Sequence, residues 1–175
     1  MSMTKRETTW YTAFKAMGSL LDGWKENAEW LDRRLPTRIF YEAVGNTTTP
    51  YVSKKALNSK PSNCTWDHFA MPQWIGRMIM DEGDIYLQDF EKFKEIASFA
   101  SQTIKVTKEE NKRLSLQTSE IAKIDGVNIF IETSIKDKYA QAGILLWTDS
   151  DGYIEGFPLD IPQEILDYEK QFVKE

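Results

Sequence analysis

Residues 64–69 read Cys-Thr-Trp-Asp-His-Phe, and residues 103–115 read Thr-Ile-Lys-Val-Thr-Lys-Glu-Glu-Asn-Lys-Arg-Leu-Ser. The first run is rich in β-formers and ends near Pro72, so it predicts a strand that stops at a bend. In the second, Thr103–Val106 predicts a short extended bridge. Thr107 then stands three residues before Glu110, the spacing of a capping box, so a short helix over 108–115 should follow and carry Asn111. Between the two runs, residues 74–80 (WIGRMIM) are apolar and predict a strand or a packed loop. Leu87, Phe90, Phe93, Ile96, Ala97 and Ala100 recur at helical spacing, which predicts a helix over 87–102.

Further out, Trp10, Phe14, Met17 and Leu21 form a helical stripe that Trp24, Ala28 and Leu31 continue. Gly18 and Gly23 interrupt it, giving one kinked helix or two, and Pro36 should stop it. Ile39–Val44 predicts a short strand. Residues 45–63 predict an extended loop with a turn of helix at Ser53–Leu57. Toward the C-terminus, Gly126–Ile135 alternates, Gly143–Thr148 is a β-run, and Asp149-Ser150-Asp151-Gly152 is a hairpin turn into Tyr153–Phe157. These predict a three-stranded antiparallel meander, with an amphipathic helix after Pro162.

The chain has 175 residues, 41 % hydrophobic and 28 % charged, including 6 Trp, 7 Tyr and 9 Phe. That is enough apolar material for a packed core. No run is long and apolar enough to span a bilayer, and no apolar run follows the first basic residues. Cys64 is the single cysteine and His68 the single histidine, which excludes a disulfide framework, a cysteine-rich zinc site and any site needing two imidazoles. An intracellular, cytoplasmic protein is expected. The formal net charge is −5, unevenly spread. Residues 33–60 carry Arg33, Arg34, Arg38, Lys54, Lys55 and Lys60 against Glu42 alone, while residues 120–175 hold five lysines against twelve acids. The basic island suits a polyanion, and it also suits a plain solvated loop.

Imidazole titrates near pH ~6.5, so His68 suits the task of deprotonating water at neutral pH. A hard divalent cation takes oxygen ligands, which Asp67 and Asn111 could supply. The pattern CTWDH-x3-PQ-x2-G-x2-I, then DFEKFKEI, then TIKVTKEENKRLS, resembles the HNH (His-Me finger, ββα-metal) endonucleases. Among these it is most like the small free-standing ones of tailed bacteriophages, which include homing endonucleases. The resemblance spans roughly residues 52–116. It implies His68 as the water-activating base and Asp67 and Asn111 as metal ligands. It further implies Mg²⁺ or Mn²⁺ as cofactor, double-stranded DNA as partner, and host cytoplasm as the location of a phage-encoded enzyme. DNA phosphates would fall to the basic island together with Arg77, Lys108, Lys112 and Arg113, with Lys105 alongside.

The resulting expectation is an α+β protein with N-terminal helices, a central ββα-metal-like unit holding an inserted helix, and a C-terminal antiparallel β-meander plus helix. Residues 1–118 would form the nuclease part. Residues 119–175 would form an acidic subdomain, with a homodimer contact through it. Two rivals stand beside this reading. Asp125, Glu132 and Lys136 loosely resemble a PD-(D/E)xK core, although an exposed strand with alternating charge accounts for them too. A non-catalytic viral nucleic-acid-binding or protein-interaction module would use Trp66, Trp74 and Trp147 for packing alone. Asp149-x-Asp151-Gly152 lacks the later ligands of a calcium loop and reads as a turn.

Overall fold

A computed structural model describes residues 3–117, 121–124, 127–130 and 134–171, with the backbone course alone for 115–117, 121–124 and 127–130. The chain opens with α1 (Lys5–Gly18), α2 (Leu21–Lys25) and α3 (Arg34–Val44). Then come β1 (Thr47–Ser53), α4 (Lys54–Leu57) and β2 (Cys64–His68). Three helices follow, α5 (Pro72–Asp81), α6 (Gly83–Tyr86) and α7 (Phe90–Ala100), before β3 (Gln102–Thr107) and α8 (Lys108–Gln117). The rest holds β4 (Ile121–Ile124), β5 (Val127–Phe130), α9 (Lys138–Gln141), β6 (Leu146–Thr148), β7 (Gly152–Ile154) and α10 (Gln163–Lys170). The fold class is α+β, as expected.

These elements gather into two compact units. The first holds α1, α2, α3, α5, α6 and α7. The second holds β1, β2, β3, β6 and β7 with α4, α8, α9 and α10. The division expected near residue 118 is therefore not where the chain parts. Residues 70–101 leave the second unit between β2 and β3 and complete the first.

In the helical unit, Thr4 caps α1 reciprocally with Glu7, each backbone N–H meeting the other's side chain. The first stripe breaks into two helices, α1 and α2, separated at Ser19 and Leu20. Two expectations fail here. Pro36 does not end a helix but lies in the first turn of α3, where its missing N–H costs no bond. Residues 39–44 are accordingly helical, with Pro36, Phe40 and Val44 buried at four-residue spacing. Residues 74–80 are likewise helix, not strand or loop. Pro72 opens α5, and Trp74 through Met80 are all buried. A segment buried all round loses the periodicity that separates helix from strand. Gly76 permits the close approach of α5 to α3, since a Cβ there would stand 3.1 Å from Thr37 Cα and from Phe40 Cβ. Phe93 completes this core, with its ring 5.8 Å from Phe40 and 5.6 Å from Phe14.

The second unit is a five-stranded mixed sheet in the order β2-β3-β1-β6-β7. β2 and β3 are antiparallel and in continuous register, from Cys64 opposite Thr107 to His68 opposite Thr103. β1 runs parallel to β3, and its register slips between Thr48 and Val52, around Pro50, which has no N–H to offer the ladder. The expected three-stranded meander is not formed. β6 and β7 make the hairpin, closed by Thr148 Oγ1 accepting from Asp151 N and by Gly152 at φ +71°. β5 pairs with β4 in a separate two-stranded sheet instead. Beneath the main sheet, Phe69, Ile104, Val106, Leu114, Tyr139, Ile144 and Leu146 form the core. Phe69 sits at its centre, 5.6 Å from the Tyr139 ring and 5.3 Å from Phe157.

Candidate active site

The sequence orders a strand, its antiparallel partner and a helix, and the second unit packs these three together. Side chains alternate across a strand. Ile104 and Val106 of β3 lie in the core that Leu114 of α8 covers. Their register partners in β2 are Asp67 and Thr65, so the Asp67 carboxylate lies on the helix-covered face. His68 pairs with Thr103 and takes the other face. Carboxylate and imidazole thus straddle the end of one strand, and both residues are half-buried.

The start of α8 is held firmly. Thr107 N donates to Glu110 Oε2 (2.9 Å) while Glu110 N donates to Thr107 Oγ1 (3.1 Å), the reciprocal cap expected from the sequence. Glu110 is 1 % exposed, and the same Oε2 also accepts from Thr107 Oγ1 (3.0 Å) and from Ser53 Oγ (2.6 Å). One carboxylate oxygen therefore ties β1, β3 and α8. Asn111 follows in the first turn of α8, half-buried beside Glu110. Thr107 pairs with Cys64, so α8 begins at the opposite end of β2 from His68. Three residues of strand, roughly 10 Å, separate Cys64 from Asp67. α8 returns over that face and brings Leu114 into the cluster of Phe69 and Ile104.

Asp67 has two partners that sequence reasoning missed. Its Oδ2 accepts from the Tyr139 hydroxyl at 2.6 Å and pairs with Lys138 Nζ at 2.8 Å. The same ammonium donates to the His68 carbonyl at 2.5 Å and lies 4.8 Å from the Tyr139 ring centre. Burial, then the charge of Asp67 and the bond to it, pushes the Tyr139 phenol well above its ordinary pKa, so it remains a proton donor. Both residues open α9, which falls outside the 52–116 region of the resemblance. They lie about seventy positions from Asp67, and no spacing rule links them to it.

The expected DNA contacts fare unequally. Lys54, Lys55, Lys60, Lys108 and Lys112 are exposed on the second unit, the one that holds Asp67 and His68, and Lys105 is half-buried there. Lys54 and Lys55 border a cleft of about 480 Å³ with Asn58, Ser59 and Thr107, and Lys55 stands 3.9 Å from Glu109. Arg113 is half-buried along α8, with Nη2 4.0 Å from Glu110. Arg33, Arg34, Arg38 and Arg77 belong to the helical unit. There Arg34 pairs with Asp32, and Arg38 is exposed. Arg33 stacks 3.8 Å from the Trp24 ring while donating to Trp24 O and Asn27 Oδ1. Arg77 is a correction: its side chain is 7 % exposed and its Nε bonds Asp81 at 3.1 Å, so it is a core residue and not a phosphate contact. Of the PD-(D/E)xK set, Lys136 is exposed, and Asp125 and Glu132 lie outside the described residues.

Among the described residues, no group of three or more His, Cys, Asp or Glu side chains is placed to hold a metal ion, and no helix is long and apolar enough to cross a membrane. Comparison with protein-family models, with curated proteins and with solved structures finds no match to this chain.

Proposed function

We propose that the protein is a divalent-metal-dependent DNA endonuclease of the HNH type, hydrolysing phosphodiester bonds with His68 as the base. The observation that carries this reading is the placement of the Asp-His pair. It ends a strand whose antiparallel partner leads straight into a helix, and that helix covers the face bearing the carboxylate. The imidazole takes the opposite face and is half-buried. Exposed lysines on the same unit supply sequence-independent attraction for the DNA backbone.

The candidate ligands are oxygen donors, the type a hard cation takes, although Asp67 Oδ2 is paired here with Lys138 and Tyr139. Asp67 offers a carboxylate, Asn111 an amide oxygen, and the Asp67 Oδ2–His68 O pair already attracts the positive charge of Lys138. An Asp–Asn pair leaves the other ligand positions to phosphate and water oxygens. When bound, such an ion offsets charge on the phosphate and the departing oxygen. His68 takes the proton from the attacking water, and its position is set by the ladder of β2 and by Lys138 on its carbonyl. Asp67 is oriented by Tyr139, which stays protonated and cannot compete as an anion.

The test is nicking of supercoiled plasmid and of phage genomic DNA by the purified full chain, with Mg²⁺ or Mn²⁺ and with EDTA. Metal-dependent relaxation or linearisation is expected on at least one template. Intact DNA on every template, with binding retained, would favour the non-catalytic nucleic-acid-binding module instead.

A further inference from the structure

The register of the main sheet carries one row of side chains across all five strands. Trp66 of β2 pairs with Lys105 of β3, Lys105 with Val52 of β1, Val52 with Trp147 of β6, and Trp147 with Tyr153 of β7. Paired residues share a face, and chain neighbours take the other. Ile104, Val106 and Leu146 are such neighbours and lie in the core, so the row lies on the face turned away from it. Trp66 is 43 % exposed and Tyr153 53 %, while Lys105, Val52 and Trp147 are half-buried. The Trp147 ring reaches over Gly152, where a Cβ would stand 3.6 Å from it. Large rings on the outer face of a sheet contribute nothing to the core beneath it.

We infer that this face binds single-stranded DNA, with bases stacked on Trp66, Trp147 and Tyr153 and a phosphate held by Lys105. Charge selects a polyanion. No ion pair among the described residues engages Lys105. The other paired members of the face on β1, β2 and β3 are Thr48, Cys64, His68, Thr103 and Thr107, none of them a carboxylate. β1 and β3 run parallel and β2 antiparallel to them. Lys54 and Lys55 after β1, Lys108 after β3 and Lys60 before β2 therefore gather at one end of the sheet, all exposed. A neutral sugar or an apolar protein surface would cover the Lys105 ammonium without pairing it. Neighbouring strands lie about 4.8 Å apart, so Trp66 and Trp147 are separated by roughly 14 Å, with Lys105 between them. A strand whose bases stack on both rings must carry its backbone past that ammonium. A duplex keeps its bases inside and offers none to the rings. Val52 presents only methyl groups at the middle of the row, which suits deoxyribose better than a ribose hydroxyl. The inference stands without the nuclease reading, and His68 lies on the same face two residues from Trp66.

The experiment titrates a fluorescein-labelled oligothymidylate with the full chain and reads fluorescence anisotropy, in EDTA so that binding is measured without metal-dependent cleavage. Wild type, Trp66→Ala, Trp66→Phe, Tyr153→Ala and Lys105→Gln are compared, with circular dichroism to establish folding. Saturable binding is expected, weakened about tenfold by either alanine variant and nearly kept in Trp66→Phe. Lys105→Gln should weaken binding and flatten its salt dependence by about one phosphate contact. Wild-type affinity in both alanine variants, or no saturable binding in wild type, overturns the inference. Tighter binding of a duplex or of an oligouridylate of the same length also overturns it. Trp66 and Tyr153 stand on the two edge strands, so if one alanine variant misfolds the other decides. Misfolding of both overturns the inference, since the rings are then structural.

Discussion

Asp67 shows what a residue-level reading can and cannot reach. Its type and its neighbour His68 make it a candidate, and the resemblance of the wider pattern over residues 52–116 to the HNH endonucleases singles it out. Its partners were hidden, because Lys138 and Tyr139 come from a helix separated from it by about seventy residues, and the contact exists only through folding. Arg77 is the converse case. Its charge suggested a phosphate contact, yet residues 74–80 of α5 are all buried and that charge is paired with Asp81. Tyr139 yields a test of the local electrostatics. Its pKa is raised, so the folded chain holds the phenolic proton where the unfolded phenol, near pH 10.0, releases it. The stabilisation is complete below that pH and is lost as pH rises above it. Tyr139→Phe should cost about 1–2 kcal/mol at neutral pH through the lost bond to Asp67. Urea midpoints measured at pH 8 and again above pH 10 should show the gap between wild type and variant closing. A gap independent of pH would separate Tyr139 from the alkaline loss of stability.

Elements with local signals were legible. The capping box at Thr107 and Glu110 placed the start of α8, and the Asp149–Gly152 turn placed the β6–β7 hairpin, because each needs only a few residues in fixed order. α3 and α5 were not. In one, Pro36 has two opposite meanings that depend on whether a helix is beginning or continuing. In the other, an apolar run buried on all sides carries no period. The meander failed for a different reason, since strand partners are chosen by the sheet and not by the strand. Glu110 is the element-scale test. Sequence reading gave it one capping role, whereas its Oε2 also holds Ser53, which in turn caps α4 through Ala56 N. Glu110→Ala strands these buried donors and should lower stability by roughly 2–3 kcal/mol, well beyond an exposed cap. Chemical denaturation of the pure variant measures it, and a loss under 1 kcal/mol would show that water replaces the carboxylate at little cost.

At the scale of the whole molecule, the helical unit is completed by residues 70–101, which interrupt the strand–strand–helix sequence between β2 and β3. This accounts for the long separation of His68 from Asn111. The insertion is three helices and belongs to another core, not the single helix expected within the motif. Nothing in composition marks that detour, since both units draw on the same apolar residues. The arrangement leaves the Asp-His pair, the helix with Asn111 and five exposed lysines on one unit, while four of the arginines expected to bind DNA belong to the other. The central claim is that His68 performs chemistry and does not merely fill space. Single-turnover cleavage of a DNA shown to be a substrate, run beside equilibrium binding of the same DNA, tests it with His68→Ala. The account predicts cleavage slower by a factor of about 10²–10⁴ with binding and folding unchanged. Cleavage at the wild-type rate, or loss of folding together with all binding, would contradict it.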